Sequence, residues 1–264
     1  MKAAQYEQFG PAAEVLTVGD LEDPQPGPGE VLVRLHASAV NPSDVKKRAG
    51  SFPNLLDDGY VIPHSDGAGI IEAVGEGVDG LAPGQRVVAQ GAPDGAYAEA
   101  RIVPARRVMA LPDGIDERAA AAMMVKGMTA RNLLKRCYPV RSGDTILVHA
   151  AAGGVGLIMC QWAAHLGATI IGTVGSAEKA AFAAAHGCHH PIVYTTEDFV
   201  ARVREITGGA GVSVVYDSVG KDTLMGSLDC LRPRGLLALF GQSSGKPDPL
   251  DITLLTPKGS LYVT

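Results

Sequence analysis

Residues 1 to about 110 alternate short apolar runs with glycine and proline punctuation, and after Asp116 a different rhythm takes over. The early runs are Val31-Leu32-Val33-Arg34-Leu35, Gly69-Ile70-Ile71-Glu72-Ala73-Val74 and Gln85-Arg86-Val87-Val88-Ala89, with turns such as Pro26-Gly27-Pro28-Gly29 and Pro83-Gly84 between them. This is strand spacing and predicts a β-rich domain. Glu117 to Leu134 then offers good helix formers, an alanine run and no proline, which predicts a helix. We place the domain boundary in that stretch, giving 1–124 and 125–264. Beyond it strands and helices take turns: Thr145–Val148, helix Val155–Leu166, Thr169–Val174, helix Ala177–His186, Pro191–Tyr194, helix Glu197–Ile206, Val212–Asp217, helix Leu224–Leu231 and Leu236–Phe240. Gly167 and Gly187 stand where left-handed helix C-caps belong. Near-continuous aliphatic strands separated by helices imply an α/β domain whose parallel sheet is covered on both faces.

Composition narrows the function. A chain of 264 residues, 46% hydrophobic and 19% charged with 33 glycines, has the profile of a globular protein rich in turns, long enough for about two domains. A net charge of -5 argues against a surface that neutralises phosphates, so no nucleic-acid partner is expected. The triplet Lys46-Lys47-Arg48 reads as a solvated helix face. Cys137, Cys160, Cys188 and Cys230 lie far apart without a C-x-x-C pair and read as buried thiols of a reducing compartment. No basic leader is followed by an apolar run, and no apolar stretch reaches the ~18 residues of a membrane span, so the expectation is a soluble cytoplasmic protein.

The chemistry is concentrated in Ala151-Ala152-Gly153-Gly154-Val155-Gly156, between the first strand and first helix of the second half. Its frame is G-x-G-x-x-G with alanine at the first position. Small residues there permit a tight turn, close approach of backbone to a pyrophosphate, and a helix N-terminus whose unpaired N–H groups face the anion. A second strand ends about twenty residues on, as a dinucleotide site requires. An NAD-specific site puts Asp or Glu at that point, where it binds the ribose hydroxyls and repels a 2′-phosphate. This chain has Gly175 and Ser176, with Lys179 one helical turn beyond, a set that favours NADPH.

The segments HAAAGGVGLIMCQWAAHLGA, IGTVGSAEKA, EITGGAGVSVVYDSVG, LDCLRPRG and GSLYVT resemble the quinone oxidoreductases, the zeta-crystallin-like, zinc-free branch of the medium-chain dehydrogenase/reductase superfamily. The likeness runs the length of the chain, with NPSDVKKRAG, PHSDGAGIIEAVGEGV and GAYAEA matching a GroES-like catalytic half more loosely. The resemblance implies a GroES-like N-terminal domain followed by a Rossmann doubly wound domain, NADPH-dependent two-electron reduction of quinones, and a homodimer. It also implies roles for individual positions. Ser176, Lys179 and Tyr194 would hold the adenosine 2′-phosphate; Ala152, Gly153, Gly154, Val155 and Gly156 the pyrophosphate; Asn41, Lys126 and Thr129 the surroundings of the nicotinamide. Ser218, Phe240, Gly241, Gln242 and Ser243 would close that end of the site. Relatives run on for several dozen residues past GSLYVT to complete the catalytic half, so this chain is expected to carry that half without its return segment.

Many relatives bind zinc through Cys and His. Asn41 stands where the first ligand would be and Ser65 where the histidine belongs, with His64 one position away, and His189-His190 lacks a third donor, so no metal is expected. Without a metal to polarise a carbonyl, the acceptor must already be electrophilic, a quinone or an activated enone, and the protein's share is positioning in a dry cleft. Asn41, Lys126 or a water could meet the product oxyanion. Asp44 and Asp66 read as caps of backbone N–H groups. A 2-alkenal or enoyl reductase, or an NADPH-binding protein without turnover, are the alternatives. The run Gly259–Thr264 looks like an edge strand through which a twofold partner would pair.

Overall fold

A computed structural model describes residues 1–57, 59–89, 91 and 93–264. The chain divides into two compact units, Met1–Val125 and Lys126–Thr264.

The first unit holds β1 (Lys2–Gln5), α1 (Ala12–Val15), β2 (Thr17–Asp20), β3 (Glu30–Ser38), α2 (Pro42–Arg48), β4 (Gly67–Val74), β5 (Arg86–Ala89), β6 (Ala100–Pro104), β7 (Val108–Ala110) and the start of α3 (Glu117–Asn132). Its main sheet has five antiparallel strands in the order β6-β3-β4-β5-β7, and β1 pairs with β2 apart from it. Alternation of side chains along these strands sends Val31, Val33, Ile71, Val87 and Val103 to one packed face. Ala68 and Val88 point to the other, where Ala120, Ala121 and Met124 of α3 cover them. The basic triplet is less solvated than its sequence suggested: Lys47 Nζ binds both carboxylate oxygens of Asp94 at 2.7 and 2.8 Å, and Arg48 donates to Gly10 O.

The second unit contains the rest of α3, a π-helical turn at Leu133–Cys137, then β8 (Thr145–Val148), α4 (Gly154–His165), β9 (Thr169–Val174), α5 (Ala177–Ala185), β10 (His190–Val193), α6 (Phe199–Ile206), β11 (Val212–Asp217), α7 (Leu224–Asp229), β12 (Leu231–Leu239) and β13 (Tyr262–Val263). Every strand pair in this sheet is parallel, and the order is β10-β9-β8-β11-β12-β13. Counted within the unit that is 3-2-1-4-5-6, the Rossmann order, whose direction reverses between β8 and β11. Ile146, Val148, Ile170, Val214 and Tyr216 pack on one face against α3, α4 and α5. Leu147, Ile171, Val215 and Leu237 pack on the other against α6 and α7. Burial on both faces is why these strands read as continuous apolar runs.

Several boundaries moved for identifiable reasons. The helix predicted from Glu197 starts at Phe199, because the Asp198 side chain accepts the N–H groups of Val200 and Ala201. The last long strand begins at Leu231 rather than Leu236, with Arg234 at φ 60° taking up the irregularity in register. The terminal strand is confined to Tyr262–Val263, since Gly259 at φ 110° and Ser260 at φ 54° form the turn before it.

Candidate functional site

In an open parallel sheet the ligand crevice lies beyond the carboxyl ends of the strands where the order reverses, here the ends of β8 and β11. After β8 the chain turns sharply through Ala150 at φ 54°. Ala150 O accepts the N–H of Gly153 at 2.8 Å, and Ala151 N–H reaches Thr173 O at 3.0 Å. A Cβ on Gly156 would lie 2.4 Å from Ala150 O and 2.8 Å from the Ala151 Cα, so no larger residue fits that turn. Gly153 is the N-cap of α4, leaving the amides that open the helix without intrahelical acceptors. The missing Cβ of Gly154 makes room for Lys126, whose Cδ would otherwise be 2.7 Å away. The structure therefore brings Lys126 against the glycine turn, and Thr129 lies one helical turn along α3 from it.

A cleft of about 580 Å³ opens at these strand ends, and of the expected residues Ala152, Gly153, Gly175, Lys179, Tyr194 and Ser243 line it. Ser176 caps α5 by accepting Lys179 N–H at 3.2 Å, which seats Lys179 beside the end of β9. Tyr194 closes the same corner, its hydroxyl so near Gly175 that a Cβ there would be 3.0 Å from it. No acidic side chain from the end of β9 enters this lining. Across the cleft, Ser243 N–H binds Ser218 O at 3.1 Å and Phe240 N–H binds Asp217 O at 2.9 Å. Gly241 has no room for a Cβ against Ser218 O, 2.6 Å away, so the loop carrying Gln242 is pinned to the one after β11. A turn with room only for backbone, a helix N-terminus, and a cation where an acid would exclude a 2′-phosphate fit a phosphorylated dinucleotide.

Sequence reasoning missed what lies beneath this cleft. Asp217, fully buried at the end of β11, accepts Val219 N–H at 2.8 Å, Gly220 N–H at 3.0 Å, Thr223 Oγ1 at 2.7 Å and Ser227 Oγ at 2.9 Å. The single Ser227 proton goes to Asp217, so Ser227 Oγ accepts from His149 Nε2 at 3.0 Å, and the bare Nδ1 accepts from Thr173 Oγ1 at 2.8 Å. Burial lowers the His149 pKa to about 4, with Asp217 opposing part of that fall. His149 also meets the Phe199 ring edge-on at 5.1 Å and, with Thr173 and Thr223, forms part of the cleft lining. The available signal was polar residues closing apolar strands, His149 after β8 and Asp217 ending β11.

Asn41 belongs to the first unit and is 3% exposed at the N-terminus of α2. Its backbone N–H donates to Asp44 Oδ2 at 2.8 Å, and its side-chain Nδ2 donates to Asp66 Oδ2 at 2.9 Å, an oxygen that also accepts Val125 N–H at 3.3 Å. Asp44 thus takes the capping role read for it, whereas Asp66 serves the Asn41 side chain and an N–H in the middle of α3 rather than a helix start. The histidines His189 and His190 are exposed, and His189 Nδ1 accepts Ile170 N–H at 3.0 Å. Cys160, Cys188 and Cys230 are buried and Cys137 half-buried, all as free thiols. Burial pushes Cys230 up to about 12. Among the described residues no three His, Cys, Asp or Glu side chains form a group that could hold a metal ion.

Known proteins resemble both units. Residues 27–113 match the alcohol dehydrogenase GroES-like domain, and residues 154–263 match the zinc-binding dehydrogenase family. A 2-haloacrylate reductase of a Burkholderia species is 48% identical over 243 residues, 90% of this chain and 73% of its own length. A quinone oxidoreductase of Pseudomonas aeruginosa is 47% identical over all 264 residues, 80% of its length. The crystal structure of Escherichia coli quinone oxidoreductase complexed with NADPH superimposes with a TM-score of 0.95 at 42% identity, covering 100% of this chain and 80% of that one. With a GroES-like unit, a Rossmann-ordered unit and relatives this similar along its whole length, the chain belongs to the quinone oxidoreductases of the medium-chain dehydrogenase/reductase superfamily.

Proposed function

We propose that this protein is an NADPH-dependent reductase of quinones and similarly electrophilic acceptors, working by hydride transfer without a metal. The observation that carries the reading is the cleft at the reversal point of the second sheet: a backbone-only turn at Gly153 to Gly156, and Lys179 with Ser176 and Tyr194 where an acid would exclude the 2′-phosphate. NADPH is the cofactor and supplies the hydride when bound. Ala152, Gly153, Gly154, Val155 and Gly156 hold the pyrophosphate with backbone N–H groups, and Gly175, Ser176, Lys179 and Tyr194 hold the adenosine phosphate. Ser218, Phe240, Gly241, Gln242 and Ser243 bound the nicotinamide end, and Asn41, Lys126 and Thr129 orient the ring. The Lys126 ammonium or the Asn41 amide stabilises the oxyanion that forms on the acceptor. Asn41 and Ser65 are poor zinc donors at positions where relatives use Cys and His, which is why the acceptor must be electrophilic in its own right.

The catalytic half is assigned to 1–124 and the nucleotide half to 125–264. Free, mostly buried thiols suit a cytoplasmic setting. No helix among the described residues is long and apolar enough to cross a membrane. The edge strand Tyr262–Val263 is the proposed homodimer contact, and sedimentation showing a monomer at every concentration would remove that assignment.

The 48% identical 2-haloacrylate reductase favours one second reading, reduction of activated alkenes. Purified protein is mixed with NADPH or NADH and with a quinone, a 2-alkenal, 2-chloroacrylate or no acceptor, and loss of reduced-nicotinamide absorbance is followed. Loss with NADPH and quinone is the expected outcome. Loss only with the alkenes selects the second reading, and saturable NADPH binding without turnover leaves a non-catalytic, crystallin-like role.

A further inference from the structure

His64 carries two separate costs in the first unit. It is fully buried, its backbone sits at φ 76°, and its Nε2 has no hydrogen-bond partner among the described residues. A left-handed backbone at a non-glycine residue and an unpaired buried nitrogen each cost of the order of 1–3 kcal/mol. Such strain persists only where the surroundings impose it, and here they do. Ala96 N–H holds His64 O at 2.9 Å, Tyr97 N–H holds Pro63 O at 3.1 Å, and Arg101 fastens Ser65 O at 2.9 Å. The Tyr97 ring lies 5.4 Å from the imidazole.

What this arrangement achieves is a hydrogen bond from His64 Nδ1 to Asp44 Oδ2 at 2.7 Å. That same oxygen accepts the Asn41 backbone N–H at 2.8 Å. Burial alone would raise the Asp44 pKa, but the hydrogen bonds from His64 and from Asn41 N–H, with the charge of Lys47, hold it below its ordinary value. Asp44 is then an acceptor only, so the proton between the two side chains sits on Nδ1. On the opposite side Asp66 takes the Asn41 amide Nδ2 at 2.9 Å, which decides which end of the amide is the oxygen. Asn41 is therefore gripped at its backbone through Asp44 and at its side chain by Asp66.

We propose that His64 is a positioning residue for hydride transfer: through Asp44 it fixes Asn41, whose side-chain amide is held in turn by Asp66. The inference rests on the reading of Asn41 as a nicotinamide contact. Displacements of about 1 Å at a reacting centre cost up to about 10²-fold in rate, so the effect falls on turnover. Binding of NADPH is held chiefly by the other unit and is spared.

The test uses His64→Gly, which accepts φ 76° without strain but deletes the donor, and His64→Asn, which tolerates that φ and returns an N–H near the Nδ1 position. Melting temperatures establish that each variant is folded. With NADPH and a p-quinone, kcat of His64→Gly is expected to fall about 10- to 100-fold, with the NADPH dissociation constant within about threefold of wild type, and His64→Asn to recover most of the loss. The Asn41 side-chain amide signals, read by nitrogen-15 NMR, should move in the glycine variant and return in the asparagine variant. In an Asn41→Ala background, His64→Gly should lower kcat no further. Should the glycine variant melt below the assay temperature, Asp44→Asn carries the same comparison. Full turnover in a folded His64→Gly, a glycine defect that asparagine does not repair, or losses that add to those of Asn41→Ala overturn the proposal. Full turnover in Asn41→Ala alone would instead overturn the reading of Asn41, and a wild-type protein inert toward quinones would overturn the proposed function.

Discussion

Acidification should destabilise the nucleotide-binding unit through one buried imidazole. His149 has an ordinary pKa of 6.5 in the unfolded chain and about 4 in the folded protein, because burial disfavours its cation. Between those values the unfolded chain binds a proton that the folded protein refuses, so stability is full above pH 7 and falls as pH drops toward 4. Each pH interval in that window removes about 1.4 kcal/mol, and the whole window about 3 kcal/mol, a large share of the ~5–15 kcal/mol that holds a domain together. The control is His149→Gln, which keeps a donor and an acceptor for Ser227 and Thr173 but does not titrate. Urea unfolding followed at Trp162, the single tryptophan and a residue of α4, reports on this unit. Wild type minus variant should lose about 3 kcal/mol between pH 7 and pH 4, while the variant keeps only the background slope. Parallel loss in the two proteins, or an imidazole that titrates near 6.5 by NMR, would refute the assignment of a neutral His149 beneath the cleft.

Other outcomes follow from the same geometry. Replacing both Ser176 and Lys179 with alanine removes the charged and the neutral partner proposed for the 2′-phosphate. The NADPH/NADH ratio of kcat/KM should shrink about tenfold or more, chiefly through KM for NADPH, and an unchanged ratio contradicts the corner built by β9, α5 and Tyr194. Gly156→Ala places a Cβ 2.4 Å from Ala150 O, so the turn must shift at a cost of about 1–3 kcal/mol. Calorimetry should show at least a tenfold weaker NADPH affinity in the folded variant, and wild-type heats of binding would show that the turn does not need a bare backbone there.

Hydrophobic periodicity alone determined most of the second unit. Thr145–Val148, Thr169–Val174 and Val212–Asp217 were legible because strands buried on both faces carry uninterrupted aliphatic side chains, and Gly167 and Gly187 announced helix ends with φ of 82° and 90°. The dinucleotide turn was legible for a local reason too, since a backbone forced close to itself and to a phosphate tolerates only small residues. The first unit was read only as β-rich, because short antiparallel strands take their register from partners distant in sequence, as β3 does from β4 and β6.

Tertiary structure alone decided the polar chemistry inside each unit. His149, Thr173, Asp217, Thr223 and Ser227 come from separate strands, loops and a helix, and nothing in their spacing says that they share one chain of hydrogen bonds. The same holds for Asn41, Asp44, His64 and Asp66, whose capping motif was visible while the buried imidazole behind it was not. Apolar burial is non-directional and survives as a periodic pattern along the chain. A hydrogen bond needs two particular atoms about 2.7–3.2 Å apart, and only the folded backbone sets that distance.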